Sequence, residues 1–435
     1  MFGACAISAQ AADSTEAKTL LDVYVVSREA DPTLAIARYR VDGAEADKDV
    51  ARGRLFPQIS IFGDWSENKI RYEGNALSQL PSQDYPGERY GLQLRSPIFN
   101  MRSFRDYEVR GALVSQSEKE LAVAETELLA AVVQAYLSVI LAEESVSLFS
   151  SEVLALEQQF EEANALYVRS LIPVTELLDT QTRLDSLRAD LVGARGQAAI
   201  SRERLAQITG IRGLTLKPVN AKILLMSSIT GAENAASLAI EYDPAIGVAE
   251  ESLNAARKTI AREKGSWWPE LDFVYNNQYS DVGFDNLTSP PRNSESYSIS
   301  FRYPLFEGGA GSARIRSAWA EFYSAQQRLE AARRQAGGRA RTAYVNLTTA
   351  AEREQAATQA ARTAEISLDA SRKAVRAGTA RVTDVLLALA QSTRAKRDLN
   401  EAKFQRAMGW VELELAIGVA PESLAQRLSD ALHGL

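Results

Sequence analysis

The stretch Leu55-Phe56-Pro57-Gln58-Ile59-Ser60-Ile61-Phe62-Gly63-Asp64-Trp65 decides the fold. A proline that cannot continue a helix is followed by apolar residues at Ile59, Ile61 and Trp65, with Ser60 and Asp64 between them, which is the period-two pattern of a strand with one apolar face. The pattern returns 212 residues later as Trp267-Trp268-Pro269-Glu270-Leu271-Asp272-Phe273-Val274-Tyr275. Each copy has a second alternating segment: Tyr90-Gly91-Leu92-Gln93-Leu94 in the first, and Tyr297-Ser298-Ile299-Ser300-Phe301-Arg302-Tyr303 in the second. Polar stretches rich in Gly, Pro, Asn and Ser separate the partners, and the spacing predicts loops over 67–88 and 280–296.

Working outward, the whole chain is written twice. Asp31-Pro32 recurs as Asp243-Pro244, and Pro57 and Pro269 each fall 25 residues after those prolines. Pro97-Ile98-Phe99 matches Pro304-Leu305-Phe306, Ala135-Tyr136-Leu137 matches Ala343-Tyr344-Val345, and Thr175-Glu176-Leu177-Leu178 matches Thr383-Asp384-Val385-Leu386. Fixed punctuation in the same order is the mark of an internal duplication. The expected organisation is a signal-peptide remnant over 1–12, a first repeat over 13–215, a linker over 216–235, a second repeat over 236–420 and a C-terminal tail over 421–435. Each repeat reads as a helix, a strand pair and a helical hairpin.

The hairpin helices are long. Residues 103–168 contain no Pro and a single Gly, and Leu121, Leu128, Val132, Val139, Val146, Val153, Leu156 and Phe160 recur in steps of seven, four and three, a heptad-like seam. Such a helix would reach on the order of 100 Å. Residues 314–375 match it, with a local bend expected at Gly337-Gly338. Both helices reverse at short breaks, Arg169-Ser170-Leu171-Ile172-Pro173 and Ala377-Gly378-Thr379-Ala380-Arg381. Residues 118–162 carry ten Glu against one Lys, whereas residues 328–406 carry sixteen basic against eight acidic residues. Two solvated faces or alternating acidic and basic neighbours would each account for this.

Composition excludes much. One cysteine, Cys5, and one histidine, His433, leave no material for a disulfide framework, a Cys/His metal site or a histidine-based catalytic triad, so neither an enzyme nor a cofactor is expected. A net charge of −7 and a pI near 5.2 argue against a nucleic-acid partner. The most apolar run, 128–142, carries Gln134 and Ser138 and is shorter than the ~20 residues of a spanning helix, so it reads as a buried helix segment. Phe2 to Ile7 is small and apolar, and Ala9-Gln10-Ala11 has the form of a signal-peptidase site, which predicts export; Cys5 offers an alternative as an acylation site.

Aromatic residues gather at the strand ends, at Trp65, Tyr90, Trp267, Trp268, Tyr297 and Tyr303, as in the girdle of a membrane β-barrel or on one face of a soluble hairpin. Four strands cannot close a spanning barrel, and an open sheet in lipid leaves edge groups costing several kcal/mol each. Either the sheet stays in water or several chains complete one barrel.

In this order, Asp31-Pro32, Leu55-Phe56-Pro57-Gln58, Pro97-Ile98-Phe99-Asn100-Met101, Leu205-Ala206-Gln207-Ile208-Thr209-Gly210, Tyr303-Pro304-Leu305-Phe306-Glu307-Gly308-Gly309 and the run from Gly378-Thr379 to Asp384-Val385-Leu386 resemble the TolC-type outer-membrane channel-tunnel family of Gram-negative bacteria. The resemblance spans roughly residues 18–420. It implies an α+β fold, mostly α, in which long helical hairpins form a coiled-coil barrel and four antiparallel strands per chain complete a homotrimeric, twelve-stranded transmembrane β-barrel. It also implies a passive conduit for type I protein secretion and/or efflux, coupled through a periplasmic adaptor to an inner-membrane ABC or proton-driven pump. Two other functions fit the residues: an acylated drug-efflux channel lipoprotein, and a periplasmic coiled-coil scaffold.

Site residues follow from the same resemblance. Asp384 occupies the position of an acid that rings the periplasmic aperture, and Glu176 and Asp179 hold equivalent positions in the first half; Leu387 stands where a second acid is expected. The competing reading makes these acids first-turn complements to a helix dipole. Ser170, Leu171, Gly378 and Thr379 match the adaptor-docking tips. Gly378 suits a turn that needs positive φ, whereas Ser170 does not.

Overall fold

A computed structural model of the chain describes residues 17–70, 83–218, 229–282, 290–377 and 379–433. The elements are α1 (Leu20–Ala30), α2 (Pro32–Gly53), β1 (Gln58–Ile70), β2 (Gln83–Asn100), α3 (Met101–Val168), α4 (Val174–Thr209), α5 (Ala232–Tyr242), α6 (Pro244–Gly265), β3 (Glu270–Val282), β4 (Arg292–Arg302), α7 (Ala310–Arg376), α8 (Val382–Ala416) and α9 (Pro421–His433). Two helices, two strands and two long helices therefore follow one another twice, and α9 closes the chain. The fold is mostly helical, with four antiparallel strands. α1 and α5, ahead of each Asp-Pro, are additions to the single helix expected there.

Asp-Pro is a helix-start device in both halves. Asp31 Oδ1 accepts from the Leu34 amide at 3.1 Å, and Asp243 Oδ1 accepts from the Ala245 amide at 2.9 Å. Pro32 and Pro244 sit first in α2 and α6, where the missing N–H costs nothing.

The described residues divide into two compact units. One comprises residues 39–119 and 247–331 and holds the sheet, ordered β1-β2-β3-β4 with every neighbour antiparallel. Its strands are longer than their apolar alternation. β1 continues to Ile70 and β2 starts at Gln83, with Glu67 opposite Pro86 and Asn68 opposite Tyr85, so both ends of the expected 67–88 loop are paired strand. The 280–296 segment is shortened in the same way, with Ser280 opposite Arg292. The ladder is made by backbone groups and needs no apolar side chain to continue. Pro86 lies beyond the last β2–β3 pair, Gly87 with Val282, and Pro97 sits at the register shift between Pro97 and Phe99; neither is asked for a central ladder bond.

The other unit comprises residues up to 38, 120–246 and from 332 onward. Its main core joins Leu20 and Tyr24 of α1, Leu129, Val132, Val133 and Tyr136 of α3, Trp410, Val411 and Leu413 of α8, and Leu424, Leu428 and Leu432 of α9, all fully buried or nearly so. The segment expected as a C-terminal tail is thus the helix α9, with one face in the core. A window of α3 is long and apolar enough to cross a membrane, but residues 128–142 lie largely in this core, as expected of a buried segment. α7 runs unbroken through Gly337-Gly338, and Ile240 of α5 reaches to 3.4 Å of the Cβ position at Gly337. A second cluster binds the four long helices: Phe149, Val153 and Leu156 of α3, Leu184, Leu187 and Leu191 of α4, Leu368 of α7, and Val385, Leu386 and Leu389 of α8.

Candidate functional site: the sheet faces and the helical tips

Residues directly opposite in an antiparallel pair share a face, so the register sorts the sheet. One face carries Ile59, Ile61 and Trp65 of β1, Tyr90, Leu92 and Leu94 of β2, Phe273, Tyr275 and Tyr279 of β3, and Tyr297, Ile299 and Phe301 of β4. Among the described residues nothing covers its outer strands: Ile61 is 83% exposed, Trp65 72%, Ile299 67% and Phe301 64%. Tyr90 stacks on Tyr279 at 4.8 Å and Tyr275 lies 4.9 Å from Tyr297. The opposite face is mostly polar, with Phe62, over Gly91, and Val274, beside Arg95, among its apolar members. Arg89 reaches Asp64 at 3.1 Å and Arg95 reaches the buried Asp272 at 2.6 Å. A Cβ at Gly91 would meet the Asn277 carbonyl at 2.4 Å, so β2 and β3 approach closely there. An exposed apolar face backed by a polar one suits a strand set with lipid on one side and water on the other.

The tips are built from capping chemistry. At the end of α3 the Leu171 amide donates to Leu166 O at 2.9 Å and the Ser170 amide to Tyr167 O at 2.7 Å, the paired bonds of a Schellman motif. Ser170 takes φ 59 to make them. The expectation that Ser170 is unsuited to this turn is therefore corrected: two backbone bonds offset the ~1 kcal/mol that a Cβ adds in the left-handed region. In the second half the Thr379 amide donates to Ala374 O at 3.0 Å, the counterpart of the Leu171 bond. Gly378 lies outside the described residues. Tyr167, Val168, Leu171, Val174 and Leu178 give the first tip an exposed apolar surface.

Glu176 and Asp384 are each the third residue of their helices, α4 and α8, but their carboxylates differ. Asp384 accepts from the Arg381 amide at 3.0 Å and so closes the N-terminus of α8. The residue equivalent to Arg381 is Pro173, which has no N–H to give. Among the described residues the Glu176 carboxylate has no hydrogen-bond or ion-pair partner, and neither does that of Asp179, which is exposed. Leu387 is 71% exposed. The geometry thus places Asp384 in a cap and leaves Glu176 and Asp179 unengaged.

The sequence profile of the outer membrane efflux protein family matches residues 23–211 and again 235–419. This chain belongs to that family. Outer membrane protein TolC of Escherichia coli (strain K12) is 22% identical to it over 428 residues, covering 96% of this chain and 86% of TolC. The proteases secretion protein PrtF of Dickeya chrysanthemi is 22% identical over 432 residues, covering 96% of this chain and 91% of PrtF. Among solved structures, the Campylobacter jejuni CmeC outer membrane channel superposes with a TM-score of 0.76 at 15% identity, covering 95% of this chain and 89% of that one. As an outer membrane efflux family protein, the chain resides in the Gram-negative outer membrane and extends into the periplasm. Its relatives are channels and secretion proteins.

Sequence reasoning missed the ion pairs of the polar sheet face. Their signal was present in the alternation, which sets Arg89 and Arg95 out of phase with Tyr90, Leu92 and Leu94.

Proposed function

We propose that this outer membrane efflux family protein is the passive exit conduit of a tripartite export system, acting in type I protein secretion and/or efflux. The observation that carries the proposal is the exposed apolar sheet face combined with two edges, β1 and β4, that are unpaired among the described residues. Lipid tolerates the face but not the edges. A closed ring of copies joined edge to edge leaves no free edge, and the homotrimer that the family resemblance implies gives twelve strands. The matching element order of the two halves supports an internal duplication, with repeats over 13–215 and 236–420 joined by the 216–235 linker.

The tips at Ser170-Leu171 and Gly378-Thr379 receive a periplasmic adaptor, which holds an inner-membrane ABC or proton-driven pump. The exposed apolar side chains at the first tip support this docking. Asp384, Glu176 and Asp179 surround the aperture. Glu176 is the stronger contributor to a cation-attracting ring, because its carboxylate is not spent on a cap.

Single-channel recording of the purified protein in a planar bilayer tests this reading. The expected result is a cation-selective conductance whose selectivity falls more in Glu176→Gln than in Asp384→Asn. Selectivity unchanged in both variants would show that these acids are only helix caps and surface charge.

A further inference from the structure

Within the sheet-bearing unit a cavity of about 500 Å³ opens where β2 hands over to α3. Arg54, Arg102, Arg110 and Arg262 line it, against two carboxylates, Asp106 and Glu270. Arg110 is held by Asp47 at 3.1 Å, and Arg262 by Asp106 at 3.1 Å and Glu263 at 2.9 Å. The other two are held loosely: Arg54 is 3.4 Å from Asp106, a carboxylate it shares with Arg262, and Arg102 is 3.7 Å from Glu263. Charge-assisted contacts normally close to about 2.7–2.9 Å, and a guanidinium carries five donors. Arg54 and Arg102 keep 57% and 48% of their side chains in solvent and retain unused donors at the cavity.

The backbone adds to the same field. α3 begins beside the cavity, its first turn contains no acidic residue, and Asn100 Oδ1 accepts from the Ser103 amide at 2.9 Å. The N-terminus of a 68-residue helix favours an anion at this position. The fold does not itself demand these arginines. In the second half the position matching Arg54 is Ser266, and those matching Arg102 and Arg110 fall at Gly309-Ala310 and Ser317-Ala318.

We propose that this cavity is a binding site for a multivalent oxyanion, a phosphate-bearing or multiply carboxylated solute clamped by Arg54 and Arg102. The strand residue in its wall, Glu270, shares the polar face with Asp272, two residues on, so the site opens to the water side of the sheet and not to lipid headgroups. Its role as a station on the export path rests on the conduit reading, but its existence does not.

Titration calorimetry of the detergent-purified full chain with inorganic pyrophosphate tests the site. Saturable binding is expected at low ionic strength, weakening with added salt, and at least tenfold weaker in Arg54→Gln/Arg102→Gln with an unchanged circular dichroism spectrum. If that double variant does not fold, Arg102→Gln alone should weaken binding about threefold, since it removes one of two clamping guanidiniums. Absence of saturable binding, or equal affinity in a folded variant, overturns the proposal. A chain silent in the bilayer that still binds pyrophosphate would overturn the conduit and leave the site standing.

Discussion

Glu152 of α3 is buried beside Thr393 of α8, whose hydroxyl donates to its carboxylate, while the second oxygen, Oε2, has no hydrogen-bond partner among the described residues. Burial pushes its proton affinity above the usual carboxylate range, and the Thr393 hydroxyl, Lys396 and Arg183 offset this only in part. A carboxyl whose folded value is raised stabilises the fold while protonated, and that contribution is lost as pH rises from the unfolded value of about 4.5 through the raised folded one. Glu152→Gln keeps an acceptor for Thr393 and removes the buried charge. It should be about 1 kcal/mol more stable than wild type at pH 7, read as a higher unfolding temperature, with the two converging toward pH 4. A gap independent of pH between 4 and 7 would contradict this assignment. Residue-scale detail also separates Glu176 from Asp384: identical helix positions diverge because one N-cap is a proline.

Among elements, α9 has the largest distance between expectation and structure. Leu424, Leu428 and Leu432 recur every four residues and all three are fully buried against the core that includes α1. Arg28 of α1 pairs with Glu422 at the start of α9, and Arg427 pairs with the buried Glu414 of α8 at 3.0 Å. Leu428→Ala should therefore cost about 2–5 kcal/mol, visible as a lower melting temperature in detergent. A Leu428→Ala protein as stable as wild type would mean that α9 is dispensable. The helix hides from a sequence reading because it lies outside the duplicated pattern, after Gly418 has ended the second copy at φ 81. The strands hid their ends for a different reason: Glu67, Asn68 and Pro86 carry turn-like chemistry yet pair in register.

At the scale of the whole molecule, the sheet governs where the protein can live. Ile61, Ile299 and Phe301 are exposed, and hydrocarbon would cover them. Ile299→Arg should lose about 2–4 kcal/mol of membrane stability if it sits near mid-bilayer. The expected readout is less of the protein in the outer-membrane fraction, with Ser298→Arg on the polar face tolerated. Equal loss from both substitutions would show that the sheet has no lipid side.

By itself the sequence determined the strand pairs, the long helical hairpins and the outer membrane efflux family. Those rest on local signals that survive without neighbours: proline and Asp-Pro punctuation, period-two and heptad spacing, and a composition with one Cys and one His. The tertiary structure decided what depends on partners distant in the chain. It set Glu152 against a threonine 241 residues away, Arg95 against Asp272, 177 residues away, and four arginines around one cavity. It also showed that Ser170 can hold a left-handed turn, because the cost of that conformation is met by backbone bonds that form only once α3 has ended there. Periodicity is a property of neighbouring residues, whereas burial, capping and charge pairing are fixed only when the chain returns on itself.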